Sequence, residues 1–87
     1  MPAAYRLSIL PSAAKEIRGI GSGKDRERIT RRIAALAGDP RPPGCTKLAG
    51  REAYRIRQRD FRILYSVRDD VLVVEVVKVG HRSDVYR

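Results

Sequence analysis

Apolar and polar residues alternate near the start of the chain. Tyr5, Leu7 and Ile9 are separated by single polar residues. A period of two is typical of a half-buried strand, so this segment is predicted to form the first strand of a sheet. Pro11 is predicted to stop it.

Two segments with helical spacing follow. Ser12 is a candidate N-cap for a short first helix, in which Ala13, Ile17 and Ile20 fall on one face. The glycines at positions 19 and 21 are expected to end this helix.

A longer second helix is predicted to begin after Ser22. The sequence SGKD at 22–25 fits a capping box, in which the side chains of Ser22 and Asp25 each accept a bond from a backbone N–H. Gly38, Asp39 and Pro40 are predicted to end the helix. One face of the helix is apolar with Ile29, Ile33 and Leu36, and the opposite face carries Arg28, Arg31 and Arg32.

The second half of the chain is predicted to contain three strands and one loop. Residues 41–50 hold two prolines and two glycines without periodicity, so they are predicted to form a loop. Alternating segments follow at 54–58, 61–68 and 71–80, separated by two-residue turns at 59–60 and 69–70. These segments predict a meander of three antiparallel strands.

The order of the predicted elements defines the fold class. One strand, two helices and three strands are arranged as β-α-α-β-β-β, which excludes a doubly wound parallel sheet. We expect an α+β fold, in which two helices cover one face of a small, mostly antiparallel four-stranded sheet. Residues 1–87 are expected to form a single domain without internal repeats.

The turn at 59–60 predicts which residues lie opposite each other. With two residues in the turn, Ile56 pairs with Ile63 on the helix-covered face, and Arg57 pairs with Arg62 on the other face, together with Arg55. Like charges placed directly opposite each other destabilise a sheet, so stability does not explain the pair. Two guanidinium groups directed at one point suit a phosphate, although a solvated basic surface that deters aggregation is the alternative.

The same argument applied to the turn at 69–70 predicts the position of the last strand. Val74 is expected beside Tyr65, and Val76 beside Ile63, on the covered face. Glu75 is then expected beside Leu64 on the other face. The predicted row across the sheet is Arg55, Leu64 and Glu75.

Charge and composition narrow the range of functions. Nineteen Lys and Arg against ten Asp and Glu give a net charge of +9, which favours an anionic partner. The apolar run at 71–79 is interrupted by charges and too short for a membrane helix, and no secretory signal is recognisable. With one cysteine and one histidine, no disulfide, metal site or cofactor is expected, and the predicted location is the cytoplasm.

Several short stretches, in this order and spacing, point to a known family. They are KLAG at 47–50, YRIR at 54–57, DFRILY at 60–65, VKVGHR at 77–82 and VY at 85–86. Across nearly its whole length the chain resembles the RelE toxins of the RelE/ParE superfamily, the toxic partners of toxin–antitoxin pairs. The resemblance implies the fold predicted above and cleavage of messenger RNA in the ribosomal decoding site.

The resemblance also implies roles for individual residues. Arg55 and Arg57 correspond to basic strand positions of the family's active face, while Arg62 and Arg82 correspond to residues at the scissile phosphate. Tyr86 corresponds to a tyrosine implicated in stacking or proton transfer. We further expect the RNA to contact Lys47, Arg51 and Arg59.

The proton acceptor is the part of the site that departs from the family. Some relatives carry lysines where this chain has Arg55 and Arg57, and a guanidinium does not act as a base at neutral pH. His81 is the one histidine of the chain, and histidine is the residue type most often used as a general acid or base, so we hypothesise that His81 or Tyr86 transfers the proton, with Glu75 as a weaker candidate.

Two alternative functions remain open from the sequence. A ParE-like toxin has the same fold and inhibits DNA gyrase without nuclease activity, although such toxins usually lack the full set of basic residues and the tyrosine. A non-catalytic basic module would bind RNA with steep salt dependence and leave it intact. In either toxin an acidic antitoxin is the expected protein partner, and sequence-specific DNA binding by this chain is not expected because no recognition helix is apparent.

Overall fold

In the part of the chain that the structure describes, two helices pack on one face of a five-stranded mixed sheet. The computed structural model describes residues 4–48, 50 and 52–81. In chain order the elements are β1 (Arg6–Ile9), α1 (Pro11–Arg18), α2 (Gly23–Ala35), β2 (Thr46–Lys47), β3 (Ala53–Gln58), β4 (Phe61–Arg68) and β5 (Val73–His81). The predicted α+β class is therefore confirmed.

The sheet contains one more strand than the sequence predicts. Its order is β1-β5-β4-β3-β2, with β1 parallel to β5 and the other pairs antiparallel. The prediction of four strands is wrong because β2 lies inside the region interpreted as a loop. β2 is only two residues long, and two residues are too few to show a period of two.

The hydrophobic core lies between the helices and one face of the sheet. Ala13, Ile29 and Ile33 of the helices are buried, as predicted. They pack with alternate residues of the central strands, including Ile56 and Ile63, which are fully buried. Because side chains alternate between the two faces of a strand, the residues between them point to the face away from the helices, here called the open face.

Of the two N-cap residues predicted from the sequence, the structure contains one. Ser22 Oγ accepts a hydrogen bond of 3.2 Å from the backbone N–H of Asp25, as expected for the start of α2. The prediction that Ser12 caps α1 is wrong. That helix begins at Pro11, whose fixed φ suits the first helical position, and Leu10 is its N-cap without a side-chain bond.

The connection from β4 to β5 is longer than predicted. Residues 69–72 form the turn, and Leu72 adopts a positive φ of 53°. Tyr65 therefore pairs with Val76, and Val67 pairs with Val74. The predicted pairing of Val74 with Tyr65 is wrong by two residues, a shift that leaves both valines on the covered face.

A β-bulge then changes the phase of β5. Tyr65 pairs with Val76, but Leu64 pairs with Lys78, so Val77 is the extra residue. Beyond the bulge the covered face contains Val79, and Ile63 pairs with Val79 instead of the predicted Val76. In the predicted row of Arg55, Leu64 and Glu75, the pairing of Arg55 with Leu64 is confirmed, but the place of Glu75 is wrong: Lys78 lies beside Leu64, and Glu75 lies beside Ser66.

Arg41 connects the loop after α2 to the edge of the sheet. Its guanidinium donates two hydrogen bonds to Asp69, of 3.1 and 2.8 Å, and a third of 2.9 Å from Nε to the Tyr54 hydroxyl. The Tyr5 hydroxyl donates to the same Asp69 carboxylate at 2.6 Å. These donors, Arg41 first, hold the pKa of Asp69 below its ordinary value.

Candidate functional site

Two arginines face each other on the open face of the sheet. Arg57 of β3 is paired with Arg62 of β4, as predicted from the two-residue turn between the strands. Both alternate with buried core residues, so both side chains point away from the helices. Arg57 is exposed, whereas Arg62 is only 9% exposed, which places one guanidinium in solvent and the other against the protein.

Acidic residues in the described part of the chain do not neutralise the charges of this pair. Among the described residues no carboxylate forms an ion pair with Arg57 or Arg62. Arg62 Nη1 approaches only the carbonyl oxygens of Arg59 and Phe61, at 3.5 and 3.4 Å, and its buried Nε has no hydrogen-bond partner in the described part of the chain. A buried donor without an acceptor costs free energy, so Arg62 does not have the full set of partners expected of an arginine that only stabilises the fold.

Arg55 extends the open face toward β2. It occupies the same side of β3 as Arg57, one row further from the turn, and pairs with Leu64. Its Nη2 lies 3.5 Å from the hydroxyl of Thr46, which is opposite Arg55 in β2. The structure therefore brings together three of the predicted site residues: Arg55, Arg57 and Arg62.

The hairpin turn beside the pair has an unusual backbone. Arg59 is exposed and has a φ of 55°, in the left-handed region that glycine or asparagine normally occupies. Its carbonyl oxygen is one of the two that approach Arg62. A non-glycine residue in this conformation stores backbone strain, and such strain is concentrated at functional sites.

His81 lies on the other face of the sheet. It pairs with Phe61, whose ring packs against the core, and the two rings meet edge to face with 5.9 Å between their centroids. The bulge at Val77 is the cause, because without it His81 would share the face of the arginines. The structure thus separates His81 from the arginine pair that it was predicted to assist.

Lys47 is also directed away from the arginine pair. It is opposite the buried Tyr54, and its Nζ lies 3.2 Å from a carboxylate oxygen of Glu52. Lys47 is the first cause of the lowered pKa of Glu52. The remaining predicted site residues, Arg51, Arg82 and Tyr86, lie outside the described residues.

Lys78 is a residue near the site that sequence reasoning did not identify. It takes the place predicted for Glu75 beside Leu64, and its Nζ forms a 2.9 Å ion pair with Glu16 of α1. The other Glu16 oxygen accepts a 3.1 Å bond from the backbone N–H of Val79. The signal in the sequence was the spacing of the polar residues 75 and 78, which is odd and so breaks the alternation of a regular strand.

The described part of the chain contains neither a metal-ligand cluster nor a membrane-spanning helix. The described residues contain no group of three or more His, Cys, Asp or Glu side chains positioned to share a metal ion. No helix formed by these residues is long and apolar enough to cross a membrane.

Comparisons with known proteins identify the family. A family model described as the ParE toxin of type II toxin–antitoxin systems matches residues 7–86. The mRNA interferase toxin RelE of Escherichia coli K12 is 36% identical over 88 aligned positions, covering 95% of this chain and 90% of the relative. The mRNA interferase RelE of Shigella flexneri matches with the same identity and coverage.

Solved structures agree with these matches. The intact E. coli RelBE toxin–antitoxin complex contains a chain with 33% identity and a TM-score of 0.77, with coverage of 90% of this chain and 96% of that one. The isolated E. coli RelE toxin matches with 32% identity and a TM-score of 0.79, covering 95% and 92% of the two chains. The predicted resemblance is confirmed, and the chain belongs to the RelE/ParE superfamily of type II toxin–antitoxin toxins.

Proposed function

We propose that this toxin is an endoribonuclease that cleaves messenger RNA in the ribosomal decoding site and so inhibits translation. The observation that carries the proposal is the pairing of Arg57 with Arg62 on the open face, without acidic partners among the described residues. The relatives named mRNA interferase support the same reaction class. RNA is the favoured substrate because each of its phosphates lies next to a 2′-hydroxyl that can act as nucleophile.

The proposed reaction is a transfer of the phosphate within the RNA itself. The 2′-oxygen attacks the adjacent phosphorus while the bond from phosphorus to the 5′-oxygen breaks, giving a cyclic phosphate and a free 5′-hydroxyl. The 2′-hydroxyl loses a proton to a base, and the 5′-oxygen gains one. Arg57 and Arg62 bind the phosphate oxygens, orient the backbone and stabilise the additional negative charge of the transition state. Arg55 is proposed to hold the neighbouring phosphate, and Arg82 remains a proposed phosphate contact.

The position of His81 argues against it as the group that transfers the proton, and Tyr86, which lies outside the described residues, is the proposed alternative. His81 packs beside Phe61 on the covered face, whereas the reacting phosphate is proposed to lie on the open face. Glu75 is on the open face but beside Ser66, one row beyond Arg55 and Leu64. Substitution of His81 by Ala is expected to retain cleavage, and substitution of Tyr86 by Phe is expected to reduce it.

The family and the net charge of this chain indicate its binding partners. The solved relatives include a RelE toxin bound to its RelB antitoxin. With a net charge of +9, this chain is proposed to bind an acidic antitoxin of its own, and otherwise the ribosome and its message in the cytoplasm. Lys47, Arg51 and Arg59 are proposed RNA contacts outside the scissile nucleotide.

Inhibition of DNA gyrase is the second candidate function. It is favoured by the name of the matching family model, which is that of the ParE toxins. The paired arginines favour the nuclease, because a protein that inhibits gyrase by binding alone has no need to maintain like charges opposite each other in a sheet.

Expression in a bacterial host tests the proposal. We expect growth arrest, new message ends at ribosome-protected positions, and loss of both effects when Arg62 is replaced by Ala. Purified protein is expected to leave the supercoiling activity of gyrase unchanged. Growth arrest with intact messages and inhibited gyrase would contradict the proposal and support the second candidate.

A further inference from the structure

A second group of arginines lies on the helix side of the protein. Arg28, Arg31 and Arg32 of α2 line one surface depression of about 300 Å³ together with Ala35 and Gln58. Their spacing of three and four residues places them on one side of the helix. Among the described residues that line it, Ala35 is the only one with an apolar side chain, so this lining lacks the anchors that hold an amphipathic peptide.

The acidic residues of α2 neutralise this group only in part. Arg31 forms a 2.6 Å ion pair with Glu27, but these side chains are 77% and 61% exposed, so water screens the pair. Arg28 is 3.6 Å from Asp25. Arg32 forms no ion pair with any described residue, and its buried Nε has no hydrogen-bond partner among them.

The depression and the arginine pair lie at the same end of the sheet. Gln58 lines the depression, and Arg57, its neighbour in β3, belongs to the pair on the open face. Consecutive residues of a strand point to opposite faces, so the two basic surfaces lie on either side of the hairpin end. The exposed Arg59 of the turn lies between them.

We propose that the α2 depression binds the phosphate backbone of RNA outside the scissile nucleotide, as a second anchor for structured RNA that passes around the β3–β4 hairpin. The planar forks of Arg28 and Arg32 suit phosphate oxygens, and the Gln58 amide suits a 2′-hydroxyl or base edge. The inference rests on the proposed function for the identity of the RNA, which is ribosomal. It assigns affinity to α2 and chemistry to the open face.

Equilibrium binding to purified 70S ribosomes tests this anchor without requiring cleavage. All proteins carry Arg62→Ala, so the message stays intact. Adding Arg28→Gln and Arg32→Gln is expected to weaken binding about tenfold and to reduce the log–log salt slope by about 2, one for each lost phosphate contact. A matched control, Arg18→Gln with Lys24→Gln, removes two charges from the helices outside the depression and is expected to change affinity less than threefold.

A second variant separates binding from folding. Arg28→Gln with Arg31→Gln leaves the partly buried Arg32 in place, and its thermal midpoint should match that of the control pair. We expect this variant also to bind ribosomes more weakly than the control. In the background with Arg62 intact, the α2 substitutions should raise KM for message-programmed ribosomes and leave kcat unchanged.

Three results would overturn the inference. If the α2 variants had the same ribosome affinity and salt slope as the control, the α2 depression would not be an RNA anchor. A loss of antitoxin affinity with unchanged ribosome binding would show that the depression is a protein-docking surface. A fall in kcat with unchanged KM would place α2 in the chemistry. If the chain with Arg62 intact cuts no message while the α2 variants still lose ribosome affinity, the proposed nuclease fails and the anchor stands.

Discussion

Arginines at two places in this sheet have opposite surroundings. Each guanidinium nitrogen of Arg41 donates a hydrogen bond: two of these bonds go to Asp69 and one to Tyr54, over whose ring the guanidinium also lies at 5.2 Å. Arg57 and Arg62 face each other, and no described carboxylate pairs with either of them. Arginine therefore has two roles in this fold. Arg41 forms a clamp, meaning that its bonds hold the loop after α2 against Asp69 and Tyr54, whereas Arg57 and Arg62 face each other without a described carboxylate partner.

This difference distinguishes an arginine that stabilises the fold, Arg41, from the pair for which we propose a role in function. A guanidinium whose partners come from two distant parts of the chain fixes a loop, and its removal affects folding. Two guanidinium groups that repel each other do not stabilise the protein, and their charge becomes useful when an anion binds between them. The following substitutions are chosen to test this division, beginning with the largest expected effect.

Replacing Arg62 by Gln should reduce message cleavage most. Loss of one preorganised donor to a developing negative charge typically lowers kcat by about 100-fold to 1,000-fold. Single-turnover cleavage of message on programmed ribosomes measures this effect. Arg68→Gln, at the other end of β4 and paired with Asp70 at 3.1 Å, is the matched control and should cleave within about twofold of wild type. Equal losses of cleavage rate in the two variants would contradict the distinction between arginines that act in cleavage and arginines that do not.

Replacing Arg41 by Gln should affect stability and spare cleavage. The variant loses both bonds to Asp69 and the bond to the Tyr54 hydroxyl, but the side chain is 37% exposed, so the effect is modest. We expect a thermal midpoint lowered by roughly 3–5 °C and a cleavage rate within about twofold of wild type. A stable variant with lost cleavage would show that the clamp belongs to the site.

Acid should weaken the bonds between Arg41 and Asp69 before it affects the packing of the hydrophobic core. Arg41 and Tyr5 lower the pKa of Asp69, and Lys47 lowers the pKa of Glu52. A carboxyl whose pKa is lower in the folded state contributes stability above its ordinary pKa and loses it as the pH falls through the folded value. Denaturant unfolding should therefore show falling stability below about pH 4.5, and Asp69→Asn should reduce that dependence. An unchanged pH profile in Asp69→Asn would exclude the clamp as its source.

Replacing Arg59 by Gly should give the smallest effect and a gain in stability. Arg59 has a φ of 55°, which costs an L-residue about 1–2 kcal/mol and glycine almost nothing, while glycine loses more entropy on folding. The net gain is expected to be about 0.5–1 kcal/mol in urea unfolding. Ribosome affinity should fall modestly with the lost charge. A loss of stability would contradict the assignment of strain to this turn.

The hairpin was predictable, and the last strand was only partly so. A two-residue turn between two alternating strands fixes the register, so Arg57 opposite Arg62 followed from the sequence. The next turn has four residues, with Leu72 in a left-handed conformation that its residue type does not announce. The bulge at Val77 is followed by contacts of Lys78 and Val79 with Glu16 of α1, which local spacing does not specify.

The covered face was easier to predict than the chemistry around it. Val74 and Val76 stayed on that face because a register error of two residues preserves the alternation. His81 changed face because a single extra residue reverses it. The roles of Arg51, Arg82 and Tyr86 stay predictions that rest on the family resemblance.

Replacing Arg57 by Thr tests the central claim most directly, because one variant tests both halves of it. Threonine keeps a β-branched residue in the strand and removes the charge opposite Arg62. We predict a cleavage rate on programmed ribosomes that falls about 100-fold, together with a free energy of unfolding that is unchanged or a few tenths of a kcal/mol higher. Cleavage at the wild-type rate, or a marked loss of stability, would contradict the account.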